Sequence, residues 1–288
     1  MKAIHKENGG TNWTRREGLN ASTGEYIAFV DSDDYLDSNA YETAIKVLEE
    51  NDCDMVQFGY YRVDMDGSVI AEHRLKPAAV ENSHEAFKYF MYIIPENSVL
   101  AWDKVYRRNL FENLEWPQLT YHEDFCMNTQ IYTKVKKIMV IEDILYYYVK
   151  NPWSVSEPPR DDRPKICNDL KAMKFLVDFT AKAMPDCLPE MLYYAIGSSL
   201  GVINAYLSRD YSDIRDLYDI CLENIRTNYK RMKELLNAQG RKDLRIKGIK
   251  AMHLSRKQLL HIWLSTHCHK LYRIYLRTRL KIHALTGI

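Results

Sequence analysis

Three carboxylates stand within four positions at the end of an apolar run, and their spacing indicates metal-assisted chemistry. Residues 24–34 read GEYIAFVDSDD, so the strand-forming stretch stops at Asp31, Asp33 and Asp34. Residues two apart in an extended chain point the same way, which predicts that Asp31 and Asp33 project together while Ser32 turns aside. Mg²⁺ or Mn²⁺ bridged to phosphate oxygens would offset their mutual repulsion, because hard cations take oxygen ligands. Asp is also favoured at helix N-caps, and the residues alone leave that second interpretation open.

A second acidic pair, Glu123-Asp124, begins a predicted helix that runs to about Thr133. A carboxylate within hydrogen-bond reach of an acceptor hydroxyl can act as a general base. Acids in the first turn of a helix also complement the helix dipole without any catalytic role. Taken by themselves, these two residues favour the structural interpretation.

The elements that must position these acids alternate between strand and helix in the first half of the chain. A run that is hydrophobic on both faces predicts a buried parallel strand ending at Asp31, and ligands bind at the carboxyl ends of such strands. The pattern also predicts a helix over 11–20 and a hairpin turn at Asp66-Gly67. Further predicted segments are a helix from Asp37-Ser38, a strand over 54–61, helices from Ser83 and over 107–111, and short strands over 137–142 and 145–149.

The second half of the chain has a different pattern. Pro152, Pro158, Pro159 and Pro164 punctuate a loop that we interpret as a domain boundary. Beyond it the periodicity predicts helices and no convincing strand, with approximate bounds 164–183, 188–208, 212–237 and 250–283. We therefore predict a partial α/β domain over 1–156 and a helical region over 157–288.

Composition narrows the class of protein. The chain is 46% hydrophobic and 27% charged, which is ordinary for a globular protein with a core. Six cysteines are scattered without a C-x-x-C pair, as is typical of a reduced, cytoplasmic protein rather than a disulfide or zinc module. No signal peptide opens the chain, and no run of apolar residues is long enough to span a bilayer.

Several short motifs occur in a fixed order along the first 156 residues. They are Glu7-Asn8-Gly9-Gly10, Arg15, Gly18-Leu19, Gly24-Glu25-Tyr26, Phe29-Val30-Asp31-Ser32-Asp33-Asp34, Trp102-x-Lys104-x-Tyr106, Phe111, Glu123-Asp124-Phe125, and Leu145-Tyr146-Tyr147-Tyr148 with Ser154. Together at these spacings they resemble the family 2 glycosyltransferases, an inverting group with the GT-A fold. The resemblance implies a GT-A-like, mainly parallel sheet flanked by helices, followed here by an all-α region.

The resemblance also implies a reaction and its residues. A sugar would pass from a nucleotide diphosphate donor to an acceptor hydroxyl with inversion, in cell-envelope polysaccharide or glycolipid synthesis. Asp33 matches the ligand of a divalent Mn²⁺ or Mg²⁺, Asp31 the residue that orients the nucleoside end, and Asp124 the general base. The remaining matches are donor-binding Arg15, Asn8 and Gly9, and the acceptor-site candidates Trp102, Lys104 and Glu123. A Trp in an apolar segment is equally at home in the core, so for Trp102 both interpretations stay open.

The chain departs from the family pattern at two points. It enters the pattern at Asn8-Gly9-Gly10, without the preceding strands that supply the nucleotide-base pocket, so we expect an N-terminally truncated domain. A truncated domain leaves an alternative open, that the chain is a non-catalytic remnant acting as a membrane-surface or interaction module. The second departure is Arg16, which stands where the family usually has Asn.

The C-terminal residues are strongly basic. Residues 241–288 hold twelve Lys and Arg against one acid, a local net charge of +11 in a chain whose total is +1, so the first 240 residues carry −10. Apolar residues at Ile262, Trp263, Leu271, Ile274, Tyr275, Leu276, Leu280 and Ile282 alternate with Arg256, Lys257, Lys270, Arg273, Arg277, Arg279 and Lys281. A basic amphipathic helix of this kind can lie on an anionic membrane, which predicts a peripheral location on the inner face of the cell membrane. The alternative is packing on the acidic remainder of the chain, and no motif supports nucleic-acid binding.

Overall fold

A computed structural model describes residues 2–93, 99–151, 163–209, 215–241, 244–246 and 249–252, and eight single positions between 260 and 278. The chain divides into two compact units, Met1–Arg160 and Asp161–Ile288. The proline-punctuated segment 152–162, with Ser154, lies outside the described residues. Each unit is described by itself below.

The first unit is a mixed sheet with helices packed on it. Its strands are β1 (Tyr26–Ala28), β2 (Tyr35–Leu36), β3 (Met55–Val63), β4 (Val69–His73), β5 (Ala78–Glu81), β6 (Lys104–Arg107) and β7 (Lys137–Val149). Its helices are α1 (Gly10–Ala21), α2 (Ala40–Glu50), α3 (Ser83–Ile93) and α4 (Glu123–Tyr132), with a 3₁₀ turn at Arg108–Phe111. The main path of the sheet is β1-β6-β3-β7-β2, with β4 paired to β3 and β5 paired to β7.

The α/β class is confirmed, but the sheet is not mainly parallel. Among the described strands, β3 and β7 form the one parallel pair. β1, predicted as a buried parallel strand, pairs antiparallel with β6, and Val30 just beyond it is 44% exposed. The short strand β6 lies between β1 and β3 and runs opposite to both, so it separates two strands that a parallel sheet would place side by side.

The core lies around the central strand β3, which is buried at seven of its nine positions. A nearly continuous apolar strand needs cover on both faces, and α2 supplies part of it through Ala44 and Leu48. β7 is one strand where the sequence predicted two, and its pairing with β3 shifts register around Gly59. A Cβ on Gly59 would lie 2.5 Å from the His73 carbonyl oxygen, so this position requires glycine.

The second unit begins with three helices, α5 (Arg163–Ala183), α6 (Leu188–Arg209) and α7 (Arg215–Ala238). These confirm the first three helices predicted for this half. An antiparallel hairpin of β8 (Leu244–Ile246) and β9 (Ile249–Met252) follows, so the all-α prediction is wrong here. Its Ile and Leu residues suit a strand as well as a helix, and short apolar runs do not distinguish the two.

Within the predicted C-terminal helix, residues 250–252 belong to β9, and seven of the eight described positions from 260 to 278 are helical. The Leu264 carbonyl accepts from Cys268 N at 2.9 Å and the Cys268 carbonyl from Tyr272 N at 3.0 Å, the spacing of an α-helix. Outside the described residues lie Ile262, Tyr275, Leu276, Leu280, Ile282 and all seven basic residues named for this segment. Within the part of the chain that the structure describes, no helix has the length and apolar character needed to cross a bilayer.

Candidate active site

The acidic residues after β1 form a turn. Asp34 N donates to the Asp31 carbonyl at 3.1 Å, so the chain reverses here and the extended geometry predicted for Asp31 and Asp33 is wrong. Their carboxylates have different partners: Asp31 accepts from Arg15 Nη2 at 3.2 Å, and Asp33 accepts from Asn151 Nδ2 at 3.1 Å. The helix-cap alternative is not observed either, since β2 follows the turn and α2 begins only at Ala40.

Tyr146 on β7 fixes this turn in place. Its hydroxyl donates to Asp34 Oδ2 at 2.7 Å and accepts from Asp31 N at 3.1 Å, while Val149 N donates to Asp34 Oδ1 at 2.8 Å. Burial raises the pKa of Asp34 to about 6, although both hydrogen bonds favour the carboxylate. Sequence reasoning treated Tyr146 only as a strand residue and missed this contact, because a strand pattern carries no information about a hydroxyl partner over a hundred residues away.

Arg15 on α1 joins the two acidic motifs. Its guanidinium donates from Nη1 to Asp124 Oδ1 and from Nη2 to Asp31 Oδ1, and its side chain is only 11% exposed. Burial opposes the positive charge, but the carboxylates of Asp124 and Asp31 raise the pKa of Arg15 above its ordinary value. Asp31, which the sequence assigned to the sugar donor, and Asp124, which it assigned to the acceptor, therefore contact the same guanidinium.

Asp124 lies in the first turn of α4, directly after a strained position. His122 has a left-handed φ of 65°, which turns the chain into the helix so that Glu123 and Asp124 open it. Asp124 Oδ2 accepts from Ala101 N at 3.1 Å. Burial raises the pKa of Asp124, and the ion pair with Arg15 opposes that rise. Glu123 beside it also has a raised pKa, through burial and then through the charge of Asp124.

Two acceptor-site candidates lie in the core of this structure, which for Trp102 is the alternative that the sequence left open. Trp102 is 5% exposed and stacks on Tyr146 with ring centroids 4.3 Å apart. Lys104 is fully buried, where it donates to the Leu100 carbonyl at 2.7 Å and pairs with Asp103. Burial lowers the pKa of Lys104, and the neighbouring carboxylate partly restores it. As placed, neither side chain can meet an acceptor, and Trp102 instead supports the tyrosine that holds the acidic turn.

Asn8 and Gly9 contact residues in the first turn of α1. Asn8 Oδ1 accepts from Gly10 N at 3.1 Å, and Gly10 adopts a φ of +82° that favours glycine. The Trp13 ring packs against Gly9 so closely that a Cβ there would lie 1.5 Å from it. These contacts set the direction of the helix that carries Arg15; a donor-binding role for Asn8 and Gly9 stays a prediction.

The acids fit a metal shared with a substrate better than one held by protein alone. Among the described residues, no three His, Cys, Asp or Glu side chains gather into a metal site. Asp33 is exposed on the surface of the turn, and its carboxylate is the hard oxygen ligand that Mg²⁺ and Mn²⁺ prefer. Substrate phosphates commonly complete the coordination of such an ion.

The mixed sheet, the helices and the paired acids define an α/β domain of the glycosyltransferase type. Residues 2–128 match the family model described as Glycosyl transferase family 2. The first unit of the chain is therefore a family 2 glycosyltransferase domain, which confirms the resemblance carried by the motifs.

Similar proteins agree with this assignment. The uncharacterized glycosyltransferase EpsJ of Bacillus subtilis is 30% identical over 163 residues, which cover 55% of this chain and 47% of that protein. Glycosyltransferase GlyA of Streptococcus pneumoniae is 30% identical over 151 residues, 50% of this chain and 22% of that protein. The chain thus spans about half or less of the length of these curated relatives. The crystal structure of S. aureus TarS 1–349 superposes with a TM-score of 0.60 at 16% identity, covering 97% of this chain and 72% of that one, and this likeness concerns the fold.

Proposed function

We propose that this chain transfers a sugar from a nucleotide diphosphate sugar to an acceptor hydroxyl with inversion. The observation that carries the proposal is the single guanidinium of Arg15, which holds Asp31 of the acidic turn and Asp124 of α4 together. An inverting displacement needs a base on the acceptor and charge stabilisation on the leaving group within one site. Family 2 membership supports the same reaction class.

Asp124 takes the proton from the acceptor hydroxyl in this proposal. Its raised pKa makes it a stronger base than an exposed aspartate, while the positive charge of Arg15 favours its ionised form. Glu123 borders the acceptor side, and the helix dipole of α4 favours both carboxylates.

In this proposal the acidic turn binds the nucleotide diphosphate sugar. Asp33 would hold a divalent Mn²⁺ or Mg²⁺, which when bound supplies Lewis-acid stabilisation of the leaving diphosphate. In this proposal Asp31 orients the nucleoside end, and Arg15, Asn8 and Gly9 contribute to donor binding. Arg15 loses one carboxylate partner whenever Asp31 or Asp124 turns to a substrate, so its charge then becomes available to a phosphate oxygen.

We further propose a carbohydrate or lipid-linked acceptor of cell-envelope polysaccharide or glycolipid synthesis, reached at the inner face of the membrane. The support is the basic C-terminal segment together with its exposed apolar residues Leu260, Trp263, Leu271 and Ile274. Attraction to anionic lipid and burial of apolar side chains act together on such a surface.

Calorimetric titration of the whole chain with UDP, GDP and dTDP, with and without Mn²⁺, tests the donor site. We expect metal-dependent binding of at least one nucleotide. Asp33→Asn should weaken it at least about tenfold, or about 1.4 kcal/mol, because the metal loses its protein ligand. The matched control is Asp52→Asn, since the Asp52 side chain is fully exposed and far from the acidic turn in sequence. Absence of metal-dependent binding in the unmodified chain would instead support the non-catalytic remnant.

A further inference from the structure

A cavity of about 260 Å³ opens between α1 and the loop that leads into α4. Its wall includes two tryptophans, Trp13 and Trp116, and two side chains with hydrogen-bond donors, Arg16 and Gln118. No residue of the family motifs except Gly9 borders it. Tryptophan combines a large apolar ring with one hydrogen-bond donor, and here two tryptophans line one small space.

The cavity is built before any ligand arrives. Buried Asn12 donates from Nδ2 to the Pro117 carbonyl at 2.8 Å, which ties α1 to the loop. Gln130 of α4 fixes the other end of the loop, donating to the Glu115 carbonyl and accepting from Glu115 N, both at 2.8 Å. Because the loop is hydrogen-bonded to both α1 and α4, it loses little conformational freedom when a ligand binds.

Trp13 is held in place within this wall and stays 45% exposed. Its ring packs on Gly9, where a side chain would collide with it, and Lys6 Nζ lies 4.1 Å from a ring centroid. Glycine is needed at position 9 because a side chain there would collide with the Trp13 ring, and not because the chain turns there.

The two walls of the cavity belong to segments that also carry, or lead directly to, Arg15 and Asp124. On α1, Arg16 follows directly after Arg15, which pairs with Asp124. On the other wall, Gln118 lies six residues before Asp124, and α1 packs on α4. The cavity is therefore walled by the helix that carries Arg15 and by the loop that leads into the helix of Asp124.

We propose that this cavity is an acceptor subsite for a sugar ring, so that the acceptor is itself a carbohydrate. A pyranose presents apolar C–H groups that suit an indole and hydroxyls that suit the Gln118 amide and the Arg16 guanidinium. Pockets for small ligands combine aromatic walls with a few polar groups in this way. The proposal rests on the proposed function, because it assigns the acceptor of that reaction.

Saturation-transfer NMR tests it with the methyl glycosides of glucose, galactose and N-acetylglucosamine. We expect at least one glycoside to bind the whole chain, and Trp116→Ala to weaken that binding about tenfold through the lost stacking contact. Gln118→Ala, a change to an exposed side chain, should weaken it as well and guards against misfolding of the first variant. Ile220→Ala is the control, because Ile220 is 47% exposed, lies on α7 of the second unit and does not line the cavity.

Binding that is equal in Trp116→Ala, Gln118→Ala and the unmodified chain would overturn the inference, as would the absence of glycoside binding. Displacement of the glycoside by UDP without metal, or loss of nucleotide binding in Trp116→Ala, would assign the cavity to the nucleotide base and overturn it too. These results are separate from the calorimetric test of the proposed function, whose contrary outcome is the absence of metal-dependent nucleotide binding.

Discussion

Arg15 shows how single side chains couple the two halves of the site. It places one positive charge between Asp31 and Asp124, which would otherwise repel each other in partly buried positions. The pair with Asp124 also limits how far burial can raise the pKa of that carboxylate. Arg15 therefore has a positioning role and an electrostatic role that can be separated by experiment.

Replacing Arg15 with Gln should move the acid limb of the pH profile of kcat/KM to higher pH. Asp124 must be ionised to act as a base, so activity falls as the pH drops through its pKa. That pKa is already raised by burial, and removal of the Arg15 charge raises it further. Arg74→Gln is the control, since Arg74 is exposed and pairs with Glu72. An acid limb that stays in place or moves to lower pH in Arg15→Gln would contradict this role.

At this scale the sequence singled out Asp31 and Asp124, which the structure brings together on Arg15, but it did not predict the contacts of their neighbours. Asp31, Asp33 and Asp124 could be singled out because motifs preserve their order along the chain. Trp102 and Lys104 came from an equally good motif, yet they are core residues. Asp103 between them provides the charge that allows Lys104 to be buried, and no spacing rule reveals that pairing.

The segment from Leu100 to Lys104 packs against residues that hold both acidic motifs in place. Lys104 pairs with Asp103, and Asp103 Oδ2 also accepts from Gln57 Nε2 of β3 at 2.7 Å. Trp102 stacks on Tyr146, whose hydroxyl holds the acidic turn. The buried ion pair thus fixes a segment on which both acidic motifs depend, since Ala101 N also binds Asp124.

Lys104→Met should lower the free energy of unfolding by about 3 kcal/mol, because it leaves Asp103 buried without its cation. Urea denaturation followed by fluorescence measures the effect. Lys46→Met is the control, since the Lys46 side chain is 69% exposed and its pair with Glu50 spans one helical turn. A change below about 1 kcal/mol in Lys104→Met would show that this pair does not stabilise the segment.

Elements with local signals were predictable and pairings between distant elements were not. The hairpin turn at Asp66-Gly67 is present, with Gly67 at a φ of +85° and Ser68 N bound to the Asp66 carboxylate. The direction of β1 depends on β6, which lies far along the chain, and apolar periodicity carries no information about strand direction. The local hairpin of β8 and β9 was missed for a different reason, because short apolar runs do not distinguish a strand from a helix.

The C-terminal segment and the rest of the chain carry net charges of opposite sign. Residues 241–288 carry a net charge of +11 against −10 for the rest. The described helical positions Leu260, Trp263, Leu271 and Ile274 are all exposed, whereas Tyr272 is fully buried. Leu260 and Trp263 are three residues apart, as are Leu271 and Ile274, so the two members of each pair are neighbours on a helical surface.

We expect the double variant Leu271→Glu/Ile274→Glu to bind anionic vesicles at least about tenfold more weakly than the unmodified chain, because it removes apolar contact and adds repulsion. Cosedimentation with phosphatidylglycerol–phosphatidylcholine vesicles measures this, with pure phosphatidylcholine as the neutral reference. Ile220→Glu is the control, since Ile220 is similarly exposed on α7. Equal sedimentation of the double variant would contradict the membrane proposal.

The central claim is that Asp124 is the base of a sugar transfer from a nucleotide diphosphate donor. The most direct test measures nucleoside diphosphate release from a panel of nucleotide sugars with Mn²⁺ and saccharide acceptors, in the whole chain and in Asp124→Asn. The account predicts acceptor-dependent release that falls by about 10² to 10⁴-fold in Asp124→Asn, while the matched variant Asp52→Asn keeps it. Acceptor-dependent release that survives unchanged in Asp124→Asn would contradict the account.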